Sequence, residues 1–194
     1  MNKNIEHYVF HKENFLNEKY FDNSIYELNK CDWKKHKWYS SASDSTQGLA
    51  GDNELEVCDE NMFSWEMGKI NEFIIQDLHS TIFEYIESFK FDWFDKWTGY
   101  SAIRFNRYSS GQTMLNHCDH IHDMFDGERK GIPTLSIIGI LNDDYEGGEL
   151  IMFEDKKIET KKGDLLIFPS IFLYPHKIAS VTKGVRYSYV SWVW

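Results

Sequence analysis

From Tyr100 to the carboxy terminus, the chain is a succession of short apolar segments separated by glycine, asparagine, aspartate and proline. Short strands at such regular spacing are typical of an all-β sandwich or barrel and not of parallel α/β units. The predicted strands are Ser101–Tyr108, Leu115–Ile121, Thr134–Leu141, Glu149–Phe153, Lys156–Thr160, Asp164–Pro169, His176–Ser180 and Val185–Val193. The pattern therefore predicts a mostly β structure, either a double-sheet jelly roll or a closed barrel, over residues 99–194.

The preceding part, residues 1–98, carries the helical signals. Apolar residues recur at three- and four-residue steps over Glu66–Lys90 and predict one amphipathic helix, whose single apolar face we expect to pack on the sheet. A short helix is predicted over residues 11–21 and a strand over Lys34–Tyr39. Residues 40–53 and 123–132 are predicted as surface loops, and a role as lids stays open for both.

Composition limits the kinds of partner. At 194 residues with 42% hydrophobic content, the chain is expected to form a single ordered domain. Its formal net charge of −10 argues against nonspecific binding to nucleic acid or to anionic membranes, because both would be repelled at long range. A peptide or a small molecule suits this charge better. The oligomeric state is left open by the sequence.

The three cysteines, Cys31, Cys58 and Cys118, are an odd number without paired spacing. This usage is typical of free thiols in a reducing compartment. The chain also lacks an apolar run long enough for a signal peptide or a membrane span. We therefore expect an intracellular, cytoplasmic protein.

A candidate metal site begins at His117 and Asp119. Side chains alternate across a strand, so these two residues are predicted to share one face, whereas Cys118 and His120 point to the other. His-x-Asp alone is a common chance pattern. His176, in a separate strand, adds a third ligand, and two histidines with one carboxylate leave coordination sites open as in iron(II) oxygenases. Zinc can bind the same residue types.

Arg186 follows His176 by ten residues, between apolar neighbours. A guanidinium buried there would need an anionic partner, and its geometry suits bidentate pairing with a carboxylate. If a metal holds one end of a dicarboxylic 2-oxo acid, such a cation can hold the other end.

Five segments in order resemble the iron(II)- and 2-oxoglutarate-dependent dioxygenases, specifically their prolyl 4-hydroxylase-like branch. They are Arg107-Tyr108-Ser109-Ser110-Gly111-Gln112, His117-Cys118-Asp119, Tyr145-Glu146-Gly147-Gly148-Glu149-Leu150, Lys162-Gly163-Asp164 with its strand to Pro169, and His176 to Arg186. The resemblance implies a mostly β fold with supporting α-helices, a double-stranded β-helix, that is, a cupin-like jelly-roll barrel. It implies that His117, Asp119 and His176 bind iron(II). It also implies that Arg186 binds the far carboxylate of 2-oxoglutarate, with help from Tyr108 and Ser188.

The same resemblance implies the reaction. Iron(II), 2-oxoglutarate and dioxygen would be required, with ascorbate as a candidate reductant, and a C–H bond of a peptidyl-proline or a related substrate would be hydroxylated with release of succinate and carbon dioxide. Two alternatives stay open: oxidation of a nucleobase or a small metabolite by the same centre, and a non-catalytic cupin-like metal-binding module. A buried Arg186 would argue against the module, which needs no cation behind its metal.

Other residues have less specific interpretations. The glycines of Glu146-Gly147-Gly148-Glu149 are predicted to supply positive φ angles in a tight turn. Packing is the preferred interpretation for Trp93, Trp97, Trp192 and Trp194, although Trp93 and Trp97 could line a substrate cleft. His120 and His122 are predicted either to lie near the lid or to be ordinary exposed histidines.

Overall fold

The computed structural model describes residues 4–36, 55–58, 65–90, 97–119 and 132–194. Its helices are two short 3-10 helices, Ile5–Tyr8 and Glu18–Tyr20, and the α-helices α1 (Phe21–Leu28) and α2 (Trp65–Phe89). Its strands are β1 (Phe10–Lys12), β2 (Lys34–Lys35), β3 (Glu56–Cys58), β4 (Arg104–Tyr108), β5 (Met114–His117), β6 (Leu135–Ile140), β7 (Glu146–Gly147), β8 (Leu150–Met152), β9 (Lys156–Ile158), β10 (Leu165–Pro169), β11 (His176–Ile178), β12 (Val181–Lys183) and β13 (Arg186–Val193).

Two antiparallel sheets face each other. The large sheet has the order β1-β10-β6-β13-β4-β3-β2, and the small sheet has the order β5-β11-β8-β9. From β4 onward the chain passes back and forth between the sheets, with β7 and β12 pairing at one end. This arrangement is the predicted double-stranded β-helix, and its two sheets stay open instead of closing into a barrel.

The outer face of the large sheet packs against α2. The apolar side of this helix is fully buried at Ile74, Leu78 and Ile82, which share one core with residues such as Phe105 and Tyr189 of the sheet. The long amphipathic helix and its packing on a sheet are thereby confirmed. Trp97 also packs here, since its ring lies 4.6 Å from the ring of Phe83 of α2.

A second apolar core lies between the two sheets. It joins Ile138 and Phe168 of the large sheet to Met152 and Ile178 of the small sheet. The predicted turn at Gly147 and Gly148 lies beside this core, with φ angles of +74° and +66°. A Cβ atom on Gly147 would lie 2.3 Å from the carbonyl oxygen of Ser180, so only glycine fits this turn.

The prediction of a helix over residues 11–21 is wrong. Phe10–Lys12 forms β1, which pairs antiparallel with β10 at the edge of the large sheet, and helix α1 begins only at Phe21. The local sequence permits either structure, and pairing with a distant strand decides between them. Strands β1, β2 and β3 thus extend the large sheet from the first 98 residues, and the division of the chain at residue 98 stays a prediction.

Several predictions fall outside the described residues. These are the loop 40–53, most of the loop 123–132, the end of the predicted strand at Tyr39, and the residues His120, His122 and Trp93. Within the described ranges, no disulfide joins the three cysteines, and neither α-helix is long and apolar enough to cross a membrane.

Candidate metal and co-substrate site

The two candidate histidines meet because their strands pair. His117 ends β5, His176 begins β11, and the antiparallel register sets them opposite each other with ring centroids 4.3 Å apart. Asp119 lies in a turn two residues beyond β5, so strand alternation does not position it, contrary to the sequence argument. The turn nevertheless returns its carboxylate to the histidines.

Three ligand atoms converge. The Nε2 atom of His117 lies 3.4 Å from Oδ1 of Asp119, and the Nε2 atom of His176 lies 3.9 Å from Oδ2. One candidate ligand atom from each of the three residues lies within 4.8 Å of the others, which is close enough for one ion to contact them all. Cys118 is not part of this cluster, and its Sγ donates to the carbonyl of Phe172 instead.

Both imidazoles are oriented by the backbone. The Nδ1 atom of His117 lies 2.8 Å from the carbonyl oxygen of Leu115, and that of His176 lies 3.1 Å from the carbonyl oxygen of Tyr174. A carbonyl oxygen can only accept a hydrogen bond, so Nδ1 of each ring carries the proton. The lone pair on Nε2 is then the one available for a metal. Burial lowers the pKa of His176 to about 4, which keeps its ring neutral near pH 7.

Asp119 supplies the negative charge of the cluster. Burial alone raises its pKa, but the two imidazoles and the hydroxyl of Ser136 outweigh burial and lower the pKa below its usual range. Ser136 Oγ donates to Oδ2 of Asp119 over 2.5 Å and lies 2.7 Å from Oγ of Ser170. The sequence argument missed Ser136, although a serine within the fully buried strand β6 is a signal that its hydroxyl has a partner.

Arg186 is almost completely buried, with 1% of its surface exposed. It starts β13 opposite Tyr108 of β4, and its guanidinium carbon lies 5.2 Å from the centre of the Tyr108 ring. Its Nη1 donates to Ser188 Oγ over 2.8 Å. Its Nε has no hydrogen-bond partner among the described residues. Burying a cationic donor without a hydrogen-bond acceptor costs free energy, so this position fits an anionic ligand such as a carboxylate.

One pocket contains all six of the site residues predicted from the sequence. They are Tyr108, His117, Asp119, His176, Arg186 and Ser188. The same pocket is lined by Arg104, Asn106 and Trp192, which the sequence argument did not assign to the site. Trp192 was expected to be a packing residue, but it has the same parity on β13 as Arg186 and Ser188 and therefore faces the pocket with them.

The sequence of this half of the chain matches a known family. Residues 103–194 match the family model for the 2OG-Fe(II) oxygenase superfamily. The match covers slightly less than half of the chain. The name of the matched family implies iron(II), 2-oxoglutarate and dioxygen, and the His–Asp–His cluster beside a buried arginine has the chemistry to hold the first two.

The chain is also similar to individual curated hydroxylases. It is 34% identical over 96 residues to a PKHD-type hydroxylase of Alteromonas mediterranea, covering 46% of this chain and 41% of the relative. It is 36% identical over 98 residues to one of Aliarcobacter butzleri, with the same shares of the two chains. The matched region thus spans less than half the length of these curated relatives.

Solved structures support the fold over almost the whole chain. The prolyl hydroxylase of Trichoplax adhaerens, in complex with a hypoxia inducible factor peptide fragment, superposes with a TM-score of 0.67 at 17% identity, covering 96% of this chain and 83% of that one. The viral collagen prolyl hydroxylase of Paramecium Bursaria Chlorella virus-1, in its 2OG complex, gives 0.62 at 18% identity, covering 96% and 94%. Identities this low establish the shared double-stranded β-helix alone.

Proposed function

We propose that this protein is an iron(II)- and 2-oxoglutarate-dependent hydroxylase. The observation that carries the proposal is the unmet, buried Nε of Arg186 in the same pocket as the His–Asp–His cluster. A metal-binding module needs three ligands and no buried cation. A 2-oxo dicarboxylate needs both a metal for one end and a cation for the other.

Each ligand residue has a definite task. His117 and His176 would offer neutral Nε2 lone pairs, and Asp119 would offer a carboxylate whose second contact, with Ser136, keeps it oriented. Iron(II) bound there supplies the activation of dioxygen that couples conversion of 2-oxoglutarate to succinate and carbon dioxide with hydroxylation of a substrate C–H bond. Three protein ligands would leave further coordination positions of the metal for the co-substrate.

Arg186 would bind the far carboxylate of 2-oxoglutarate. Ser188 accepts a hydrogen bond from Arg186, which turns its own hydroxyl proton outward as a further donor for the same carboxylate. Tyr108 lies against the guanidinium and limits the directions from which the ligand can approach. Apolar residues such as Leu55 and Ile138 line the same pocket, and an apolar lining strengthens charge pairing.

A peptidyl-proline or a related peptide or amino acid is the proposed substrate class. Its support is the likeness to PKHD-type and prolyl hydroxylases, one of them solved with a bound peptide fragment. Oxidation of a nucleobase is disfavoured by the net charge of −10. A small metabolite remains the second candidate, because the pocket residues suit it equally.

Turnover of 2-oxoglutarate tests the proposal. Purified protein is incubated with iron(II), ascorbate and labelled 2-oxoglutarate, with and without candidate peptides, and succinate is measured. We expect succinate release that rises with a substrate peptide and is absent in His176→Ala. Failure of the iron-loaded protein to bind 2-oxoglutarate, together with no succinate under any condition, would overturn the proposal. Omitting ascorbate tests whether it is required as a reductant.

A further inference from the structure

A chain of two serine hydroxyls leads away from Asp119. Ser136 Oγ donates to Oδ2 of Asp119 over 2.5 Å and lies 2.7 Å from Oγ of Ser170. Both serines are buried, each with 1% of its surface exposed. Among the described residues, the hydroxyl of Ser170 bonds to Ser136, so any effect of Ser170 on the metal site passes through that residue.

The direction of each hydrogen bond in this chain follows from the number of protons. A serine hydroxyl has one proton to donate and two lone pairs to accept with. The carboxylate of Asp119 can only accept, so it takes the proton of Ser136. Ser136 can then only accept in its contact with Ser170, which therefore donates its own proton to Ser136 Oγ. Both hydrogen bonds point toward Asp119.

Two aligned hydrogen bonds restrain the carboxylate more strongly than one. A hydroxyl that accepts a hydrogen bond is polarised and becomes a stronger donor, and this effect is larger in a buried site of low dielectric. A rotation of Ser136 away from Asp119 would also move its oxygen away from Ser170 and so would break both bonds. Ser170 thereby holds Ser136 in the one orientation that serves Asp119.

The position of Ser170 is itself fixed by strand pairing. Phe168 of β10 pairs with Ser136 of β6 in the large sheet. The amide of Ser170 donates to the carbonyl oxygen of Thr134 over 3.1 Å, which continues the contact between the two strands beyond Pro169. The donor at the far end of the hydroxyl chain therefore sits on the same rigid sheet as its acceptor.

The turn 170–174, which begins at Ser170, also contacts the rest of the metal cluster. The carbonyl oxygen of Phe172 accepts a hydrogen bond from Sγ of Cys118, which lies between two of the candidate ligands in the sequence. The carbonyl oxygen of Tyr174 lies 3.1 Å from Nδ1 of His176. One short segment thus makes contacts that orient ligands from both β5 and β11.

We propose that Ser170 is a positioning residue of the metal site, which acts on Asp119 through Ser136. Its hydroxyl fixes the orientation of Ser136, and the restrained carboxylate binds a divalent metal more tightly than a carboxylate that is free to rotate. The inference rests on the proposed function only in that it takes the His–Asp–His cluster as a site for iron(II).

Ser191 of β13 offers a matched control. It is completely buried, and its Oγ lies 3.2 Å from Oγ of Ser101 and donates to the carbonyl oxygen of Ser101 over 3.0 Å. Within the described residues, its hydroxyl bonds to Ser101 and so belongs to a serine pair remote from Asp119 in the hydrogen-bond network. Ser191→Ala therefore removes a buried serine hydroxyl of the same kind and leaves the chain at Asp119 intact.

The affinity for iron(II) is measured calorimetrically under nitrogen with the full chain and without 2-oxoglutarate. We expect Ser170→Ala to weaken iron(II) binding by about threefold, within the range for the loss of one neutral hydrogen bond. We expect the double variant Ser136→Ala/Ser170→Ala to bind as Ser136→Ala alone does, because the chain is already broken at Ser136. A merely structural role of Ser170 would lower the affinity in both backgrounds. Ser191→Ala should leave the affinity unchanged.

Each other result counts against the inference. Unchanged iron(II) affinity in Ser170→Ala overturns it, as does a further loss when Ser170→Ala is added to Ser136→Ala, or an equal loss in Ser191→Ala. Failure of the unaltered protein to bind iron(II) overturns it as well. Thermal unfolding identifies a variant that does not fold. If Ser170→Ala is such a variant, Ser170→Cys replaces it under the same criteria, because a thiol is a weaker donor.

The proposed function is tested separately from this inference. Binding and turnover of 2-oxoglutarate can both fail while the iron(II) affinities of the variants still follow the expected pattern. Conversely, succinate release by the unaltered protein would support the proposed function even if Ser170→Ala bound iron(II) normally.

Discussion

The two faces of β13 perform different tasks. On one face, Arg186, Ser188 and Trp192 line the pocket with the candidate metal ligands. On the other face, Tyr187 and Tyr189 pack in the core beneath α2. Residues adjacent in sequence thus contribute alternately to chemistry and to stability, because strand side chains alternate between the two sides of a sheet.

Each face carries a buried polar atom without a hydrogen-bond partner in the described part of the chain, and the difference between the two is instructive. The hydroxyl of Tyr189 lies in the core against α2. Burial of the large ring there offsets the free-energy cost of leaving the hydroxyl without a hydrogen bond. Arg186, whose Nε is the other such atom, lines the pocket, so a ligand can lie beside its guanidinium. An unmet donor therefore points to a binding site only where space for a ligand adjoins it.

Leu78→Ala should weaken the packing of α2 on the sheet without changing ligand binding in the pocket. Leu78 is fully buried between α2 and the sheet, and truncation of such a residue costs about 2–5 kcal/mol in the free energy of unfolding. Chemical denaturation measures this loss. At a temperature where the variant is folded, we expect its 2-oxoglutarate affinity to be within about twofold of the unaltered protein. A large loss of affinity would mean that the two faces are coupled.

Arg186→Met should weaken ligand binding in the pocket without lowering the stability of the fold. Loss of the charge-assisted contacts should weaken 2-oxoglutarate binding by about 100-fold, roughly 2.7 kcal/mol, whereas the free energy of unfolding should stay equal or rise because an unmet buried charge is removed. Calorimetry with the metal-loaded protein measures the binding, and metal titration provides the control. Equal losses of metal and 2-oxoglutarate affinity would make Arg186 a structural residue.

Gly139→Ala tests how tightly the helix face is packed. A Cβ atom at Gly139 would lie 1.9 Å from Cζ of Tyr189, so the ring must move, and we expect a loss of about 1–3 kcal/mol in unfolding free energy. Gly68→Ala in α2 is the matched control, since nothing lies within 4 Å of its added Cβ. It should stabilise the helix by up to about 1 kcal/mol. Equal effects of the two substitutions would contradict this account of the packing.

Ser136→Ala should produce the smallest and most local effect, on the pocket side. Removing the hydroxyl frees Asp119 to rotate and should weaken metal binding by about tenfold, a typical cost of losing a group that orients a ligand. Unfolding of the apoprotein should change by less than about 1 kcal/mol. Isothermal titration with iron(II) under nitrogen measures the affinity, and an unchanged value would show that Ser136 has no role in orienting Asp119.

Local patterns were sufficient for much of this molecule. The period of α2, the central residues of most predicted strands and the glycine turn at Gly147 each follow from steric rules within a few residues, whereas the strand predicted from Leu115 ends at His117. The failures involve partners distant in sequence. Residues 10–12 form a strand because they pair with the edge of the distant strand β10, as in the pairing of His11 with Leu166, and no local signal specifies such a pairing.

The features of the candidate site also divide into those that the local sequence predicts and those that depend on distant strand pairing. The sequence by itself determined the residue types, two imidazoles, one carboxylate and an arginine between apolar neighbours, because these are the groups that bind a metal and a dicarboxylate. Only the tertiary structure decided that a turn and not a strand positions Asp119, that Ser136 orients it, and that Arg104 shares the pocket with Arg186. The physical reason is that side-chain chemistry is local, whereas the distances that combine it into a site depend on which strands pair.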